Sequence, residues 1–169
     1  MTLDTVVEAA DGVVKADWNL LKKPVSGDIE IRNHVFGNTL KDLERAIEIV
    51  KTELDEYGIV GDRQEEFLNA FIEGLQNVQF HTNHGSPRNK VYMNTMRIGD
   101  DYYLVALYGD GPGRFDINKV REAIETTGRL NFGESGRGTY IMREWCDMVY
   151  YHFTDDGNYC EVYLGIFKK

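Results

Sequence analysis

Apolar residues recur along this chain in two rhythms, and the rhythm changes at definite places. From Asp28 to Phe36 they alternate, with Ile29, Ile31 and Val35 on one side and Asn33 interrupting. A period of two predicts a strand with one face buried. From about 40 to 57 the spacing becomes three and four, placing Leu40, Leu43, Ile47, Val50 and Leu54 on one helix face. Asn38 or Thr39 can cap that helix, and Gly58 stops it. Asp62 is placed to cap a second helix over roughly 63–81, with Glu65 and Glu66 in the first turn, where the macrodipole favours acids. Its apolar face is Phe67, Leu68, Phe71, Ile72, Leu75 and Val78. Thr82–Asn89 reads as a loop. Two alternating stretches, about 90–98 and 101–108, are joined by Gly99-Asp100, a strong hairpin signal. Gly109–Arg114 is a glycine-rich loop, 117–126 looks helical, and Thr127–Ser135 has no period and reads as a mobile segment. Arg137–Met148 is helical in pattern, and strands at about 149–154 and 159–167 flank Asp155-Asp156-Gly157-Asn158.

The order β-α-α-β-β-loop-α-β-β predicts an α+β fold, a two-layer sandwich with helices on one face of a mixed, mostly antiparallel sheet. Residues 28–169 would form that domain. Residues 1–27 read as an N-terminal extension: apolar spacing through Val6, Val7, Ala10, Val13, Val14, Trp18 and Leu21 predicts one or two short helices, and Pro24-Val-Ser-Gly27 a turn. Tyr150, Tyr151, Phe153, Tyr159, Tyr163 and Phe167 read as sheet packing rather than a cofactor box.

Composition narrows the function classes. With 169 residues, a hydrophobic fraction of 42%, eight Phe, ten Tyr and two Trp, the chain can bury a sizeable core. A net charge of −9 makes nucleic acid a poor direct partner and a basic protein an easier one. The sign is uneven: residues 42–66 hold nine acids against three basic residues, and 114–143 hold five arginines. Arginines beside a glycine loop suit phosphate, although a solvated surface explains them as well. Cys146 and Cys160 lack metal-ligand spacing and suggest a reduced, cytoplasmic protein, with a single bridge left open. No stretch has the length or apolarity of a membrane span, and the N-terminus lacks a signal pattern.

The chemistry concentrates in Glu73-Gly-Leu-Gln-Asn77-Val-Gln-Phe-His81. At i, i+4 and i+8, Glu73, Asn77 and His81 drift only ~40° per step and form a polar ladder opposite the apolar face. Magnesium takes hard oxygen ligands and usually keeps waters and phosphate oxygens, so one Asn77 amide oxygen plus a nucleotide suits it. Glu73, one turn away, can accept a proton from an attacking hydroxyl. His81 serves equally as a helix C-terminal cation or a ligand. Gly74 costs roughly 1 kcal/mol against Ala in a helix; ligand approach or tight packing would each explain it. Gly136-Arg137-Gly138, ahead of a helical pattern, is a place where backbone N–H groups meet phosphate.

These motifs resemble the histidine-kinase-like ATPase (Bergerat) fold, and most closely the small bacterial anti-sigma-factor serine/threonine kinases. The resemblance covers roughly residues 28–167. Its Glu-x3-Asn-x3-His helix matches Glu73, Asn77 and His81. Its loop after the central hairpin is matched by Gly-Asp110-Gly111-Pro-Gly113-Arg-Phe115-Asp116. Its second glycine motif is matched by Glu134-Ser-Gly136-Arg137-Gly138-Thr139-Tyr-Ile-Met142-Arg143. The resemblance implies ATP and Mg²⁺ as cofactors. It implies Glu73 as catalytic base and Asn77 as metal ligand, and contacts to the nucleotide from Asn77, His81, Asp110, Gly111, Gly113, Gly136, Arg137, Gly138 and Thr139. Asp110 would take the adenine amino group. The implied partners are a sigma factor and a small anti-anti-sigma phosphoacceptor, with a homodimer expected.

One motif departs from the family pattern Asp-x-Gly-x-Gly-Phe-Asp. With Phe115-Asp116 fixing the register, Asp110 keeps its place but Pro112 and Arg114 stand at the glycine positions; with the glycines fixing it, Gly109 replaces the aspartate. Two functions from different classes follow. One is an ATP-dependent protein serine/threonine kinase in a partner-switching pathway. The other is a catalytically degenerate member of the same fold that regulates by protein interaction alone. Asn83 and His84 lie just past the helix, with nothing in their spacing to assign them.

Overall fold

In the computed structural model, residues 20–21, 28–100, 102–113, 141–142, 144–153 and 160–168 are described. Six strands form one sheet: β1 (Leu20–Leu21), β2 (Ile29–Phe36), β3 (Val91–Ile98), β4 (Tyr102–Gly109), β5 (Met148–Phe153) and β6 (Cys160–Phe167). Their order is β1-β5-β6-β4-β3-β2, and every neighbouring pair is antiparallel. Helices α1 (Leu40–Tyr57) and α2 (Asp62–Gln76) pack on one face, giving the expected two-layer α+β sandwich.

Helix α1 starts where its sequence says it should. Thr39 accepts the Asp42 N–H through Oγ1, and the Asp42 carboxylate accepts the Thr39 N–H, closing a capping box. Gly58, at φ 83°, ends it in the left-handed conformation. Helix α2 differs from expectation at both ends. Its N-cap is Gly61 rather than Asp62, which is the first helical residue. Beyond Gln76 the α-winding gives way to a π-turn, Asn77–Thr82, recorded by the Asn83 N–H reaching Val78 O at 2.9 Å.

The main core lies between the helices and the sheet. Leu43, Ala46, Val50 and Leu54 of α1 and Phe67, Ala70, Phe71 and Leu75 of α2 meet Val91, Met93, Tyr103, Val105, Leu107, Val162, Leu164 and Ile166. Gly74 faces this core: a Cβ there would sit 3.2 Å from Leu164 Cδ1 and 3.3 Å from Leu107 Cδ1, so tight packing is the reason for the glycine. A second cluster occupies the opposite sheet face: Met96, Ile98, Tyr102, Leu104, Ala106, Met148, Tyr163 and Phe167. Tyr163 and Phe167 thus pack as expected.

Three sequence expectations are corrected. In β2 the alternating Ile31 and Val35 are 45% and 51% exposed, while Phe36 on the other face is buried. At the end of the sheet, β2 turns Phe36 to the helix-side core and pairs Arg32 with Glu53 and Glu56 on the same side, while on the alternating face Ile29 alone packs against the second cluster. The helical stretch read as reaching Met148 stops earlier: Trp145 is helical, and Met148 begins β5. Leu20 and Leu21, read as helical, form β1 against β5. The expectations at 1–19, 22–27, 114–140 and 154–159 lie outside the described residues. Cys146 is a buried thiol outside any disulfide. Among the described residues no helix is long and apolar enough to cross a membrane.

Candidate functional site

Helix α2 carries Glu73 on its last α-helical turn and Asn77 at the α-to-π transition. Both are half-buried. Among the described residues, neither side chain makes a hydrogen bond, and Glu73 enters no ion pair. Their one-turn separation brings a carboxylate and an amide oxygen side by side. His81 is exposed, on the π-turn. An i→i+5 turn winds less per residue than an i→i+4 turn. The π-turn therefore opposes the drift of the α-helical ladder and brings His81 back towards the azimuth of Glu73.

The end of this helix is fastened to the loop after β4. The Gly111 N–H donates to Asn83 Oδ1 at 2.9 Å, and the Gly113 N–H donates to Thr82 O at 2.8 Å. Gly111 and Gly113 have no room for a side chain. A Cβ on Gly111 would lie 2.3 Å from Thr82 O, and one on Gly113 would lie 1.8 Å from His81 O. These two glycines let the loop lie directly on the helix-end backbone. Gly109 is similarly tight against Asn83.

Asp110 is exposed, and its Oδ1 accepts the Lys90 N–H at 2.7 Å, continuing the β3–β4 ladder by one side-chain bond. Its other oxygen takes no hydrogen bond from the described residues. The loop thus holds the aspartate by one oxygen, with the second unengaged among the described residues. Among the described residues there is no group of three or more His, Cys, Asp or Glu that could hold a metal ion by itself. Gly136, Arg137, Gly138 and Thr139 fall outside the described residues. The structure brings together the end of the Glu73–Asn77–His81 helix and the Asp110–Gly113 loop; it does not describe the second glycine motif.

Sequence reasoning left Asn83 unassigned. It is 0% exposed and links three segments. Its Nδ2 donates to Lys90 O at 3.0 Å and Asn38 Oδ1 at 3.3 Å, and Asn38 in turn donates to Ser86 O at 3.1 Å and Gln79 O at 3.4 Å. No periodicity marks Asn83, because it follows the helix rather than lying on a face of it.

With this geometry in hand, comparison with known proteins bears on the fold. No protein-family model matches the chain, and no curated protein does. Among solved structures, a chain of the SiaB–SiaC complex from Pseudomonas aeruginosa is similar over 80% of this chain and 89% of that one. Its TM-score is 0.53 at 11% identity. A mycobacterial sensor histidine kinase, MprB, covers 83% of this chain and 97% of its own, with a TM-score of 0.49 and 13% identity. At such identities the likeness is one of fold alone.

Proposed function

We propose that this chain binds ATP with Mg²⁺ and acts as a protein serine/threonine kinase of the anti-sigma type. The observation that carries the reading is the Glu73–Asn77 pair, half-buried, one turn apart and engaged by nothing else in the described structure. A carboxylate and an amide set side by side on one helix face, and used by no other described side chain, are available to a ligand.

The donor set fits a magnesium nucleotide. Asn77 offers one hard, neutral oxygen of the kind Mg²⁺ accepts beside phosphate oxygens and water. When bound, the magnesium nucleotide supplies the phosphoryl group and neutralises its developing charge. Glu73 receives the proton that leaves the partner's Ser or Thr hydroxyl. Asp110 accepts the adenine amino N–H on the oxygen not used by Lys90. Guanine presents a carbonyl at that position, so the same carboxylate rejects it. Gly136, Arg137, Gly138 and Thr139 are assigned to the phosphates on the family resemblance. The partners in this reading are a sigma factor and a small phosphoacceptor protein, the protein is a homodimer, and it works in the cytoplasm.

Calorimetric titration of ATP with Mg²⁺, and again with EDTA, tests the site. Magnesium-dependent binding that is lost in Asn77→Ala and loses its preference for adenine in Asp110→Asn is the expected result. Glu73→Gln should then keep ATP binding and lose turnover to ADP. Absence of binding at millimolar ATP would sink the kinase reading and leave the interaction-only regulator. The departure at Pro112 and Arg114 from the family's glycine positions favours that alternative.

A further inference from the structure

We infer that Asn83 is the positioning residue of this site: its carboxamide fixes the Asp110–Gly113 loop on the end of the Glu73–Asn77 helix, so that Asp110 is held ready for its ligand. The inference rests on the nucleotide reading for what the loop binds, but the fastening itself is independent of any ligand.

The orientation of the carboxamide is set by its surroundings. Oδ1 faces an N–H, that of Gly111 at 2.9 Å, and Nδ2 faces two oxygens, Lys90 O at 3.0 Å and Asn38 Oδ1 at 3.3 Å. Turning the group over would put donor against donor and acceptor against acceptor. Asn38 is itself held in the same manner, 3% exposed and donating to two carbonyls. Asn83 thus ties the loop to both the β2–α1 junction and the start of β3. The Asn83 backbone takes part as well: its carbonyl accepts from Asn89 Nδ2 at 3.2 Å, and its N–H closes the π-turn.

The loop has few other anchors among the described residues. Gly111 and Gly113 lack side chains, and Pro112 is exposed. What holds the stretch is the Asn83 carboxamide, the Gly113 N–H on Thr82 O, and the two bonds between Asp110 and Lys90. Lys90 O accepts from both Asp110 N and Asn83 Nδ2, so the Asp110 and Asn83 anchors share an atom. Removing the carboxamide leaves the buried Gly111 N–H and Asn38 Oδ1 without that partner and Lys90 O with Asp110 N–H alone, and the loop is the segment best able to move towards water and relieve this.

The test is amide hydrogen exchange in the wild type, Asn83→Ala and Gln64→Ala, read at Gly111 and Gly113 against Val105 and Leu107 in β4. Gln64 is a buried amide at the α1–α2 turn, bonded to Asp55 and Ile59 O, and controls for general destabilisation. The inference expects slow exchange at Gly111 and Gly113 in the wild type. It expects at least a ~10-fold acceleration there in Asn83→Ala beyond any change at Val105 and Leu107, and no such excess in Gln64→Ala. Unprotected glycine amides in the wild type would overturn it, a result that needs no variant to fold. So would equal acceleration at loop and core in Asn83→Ala. Where the wild type binds ATP, affinity should fall about tenfold or more in Asn83→Ala and hold in Gln64→Ala; equal affinities in the two variants would also overturn the inference. A wild type that binds no ATP defeats the functional reading alone, and the exchange data still decide the role of Asn83.

Discussion

Glu53 lies on the buried face of α1 because specific partners wait for it on the sheet. Tyr103 Oη donates to Glu53 Oε2 at 2.7 Å, and Arg32 Nη1 donates to Oε1 at 3.4 Å. Burial, and then the adjoining Glu53, push the Tyr103 phenol well above its usual ionisation range, so it remains a donor. Tyr103→Phe removes that donor and leaves a buried carboxylate oxygen unmet. A loss of about 1–3 kcal/mol in denaturant-derived stability is expected. A second residue makes a pH prediction. The Thr39 hydroxyl, bonded to the Asp42 carboxylate, holds that carboxyl below its usual range. A lowered folded-state value means the stabilisation is complete at neutral pH, above the ordinary 3.8, and is lost as pH falls through the lowered value. The stability difference between wild type and Asp42→Asn should therefore shrink on acidification, as measured by thermal melts from pH 7 down to about 2.

At the level of elements, what could be read in the sequence and what could not separate along physical lines. The capping box at Thr39 and Asp42 and the stop at Gly58 are local, and local rules found them. Thr39→Ala should cost about 1 kcal/mol of stability by the same denaturant measurement. The alternation in β2 was equally visible but held only for Ile29, which packs on the second cluster, and not for Ile31 and Val35. The rule assumes that the apolar side meets the core, whereas α1 offers Glu53 and Glu56 to this strand, and Arg32, still exposed, pairs with both. The π-turn left no sequence signature, since an i→i+5 bond requires no particular residue type. Glu73 and Asn77 could be placed from the sequence because they lie on a regular helix, and Asp110 because it directly follows a hairpin strand. The fastening between them was not, because it runs through the backbone of His81–Asn83 and one buried amide. Gly111 and Gly113 looked like ligand-approach glycines and are seated on that backbone. Gly113→Ala, whose Cβ would fall 1.8 Å from His81 O, should lift the loop. The expected outcome is a protein that melts cooperatively but has lost most of its ATP affinity by calorimetry.

For the molecule as a whole, a nucleotide that binds only the folded state should raise stability by ~2.7 kcal/mol at 100 times its Kd, read as a higher melting temperature with Mg-ATP than with EDTA. The same molecule shows how its strands are wired. β6 lies between β4 and β5, and among the described residues β1 joins the sheet through β5. A strand that begins at Cys160 therefore completes a sheet whose first member is Leu20–Leu21. Contacts between distant parts of a chain form slowly, because the intervening loop must close first. On the ribosome, the hairpin of β3 and β4 can form early, but β5 and β1 have no sheet to join until Phe167 has left the exit tunnel. Arrested chains that end short of Cys160 should stay open to protease, and resistance should arrive in one step once β6 is free to insert.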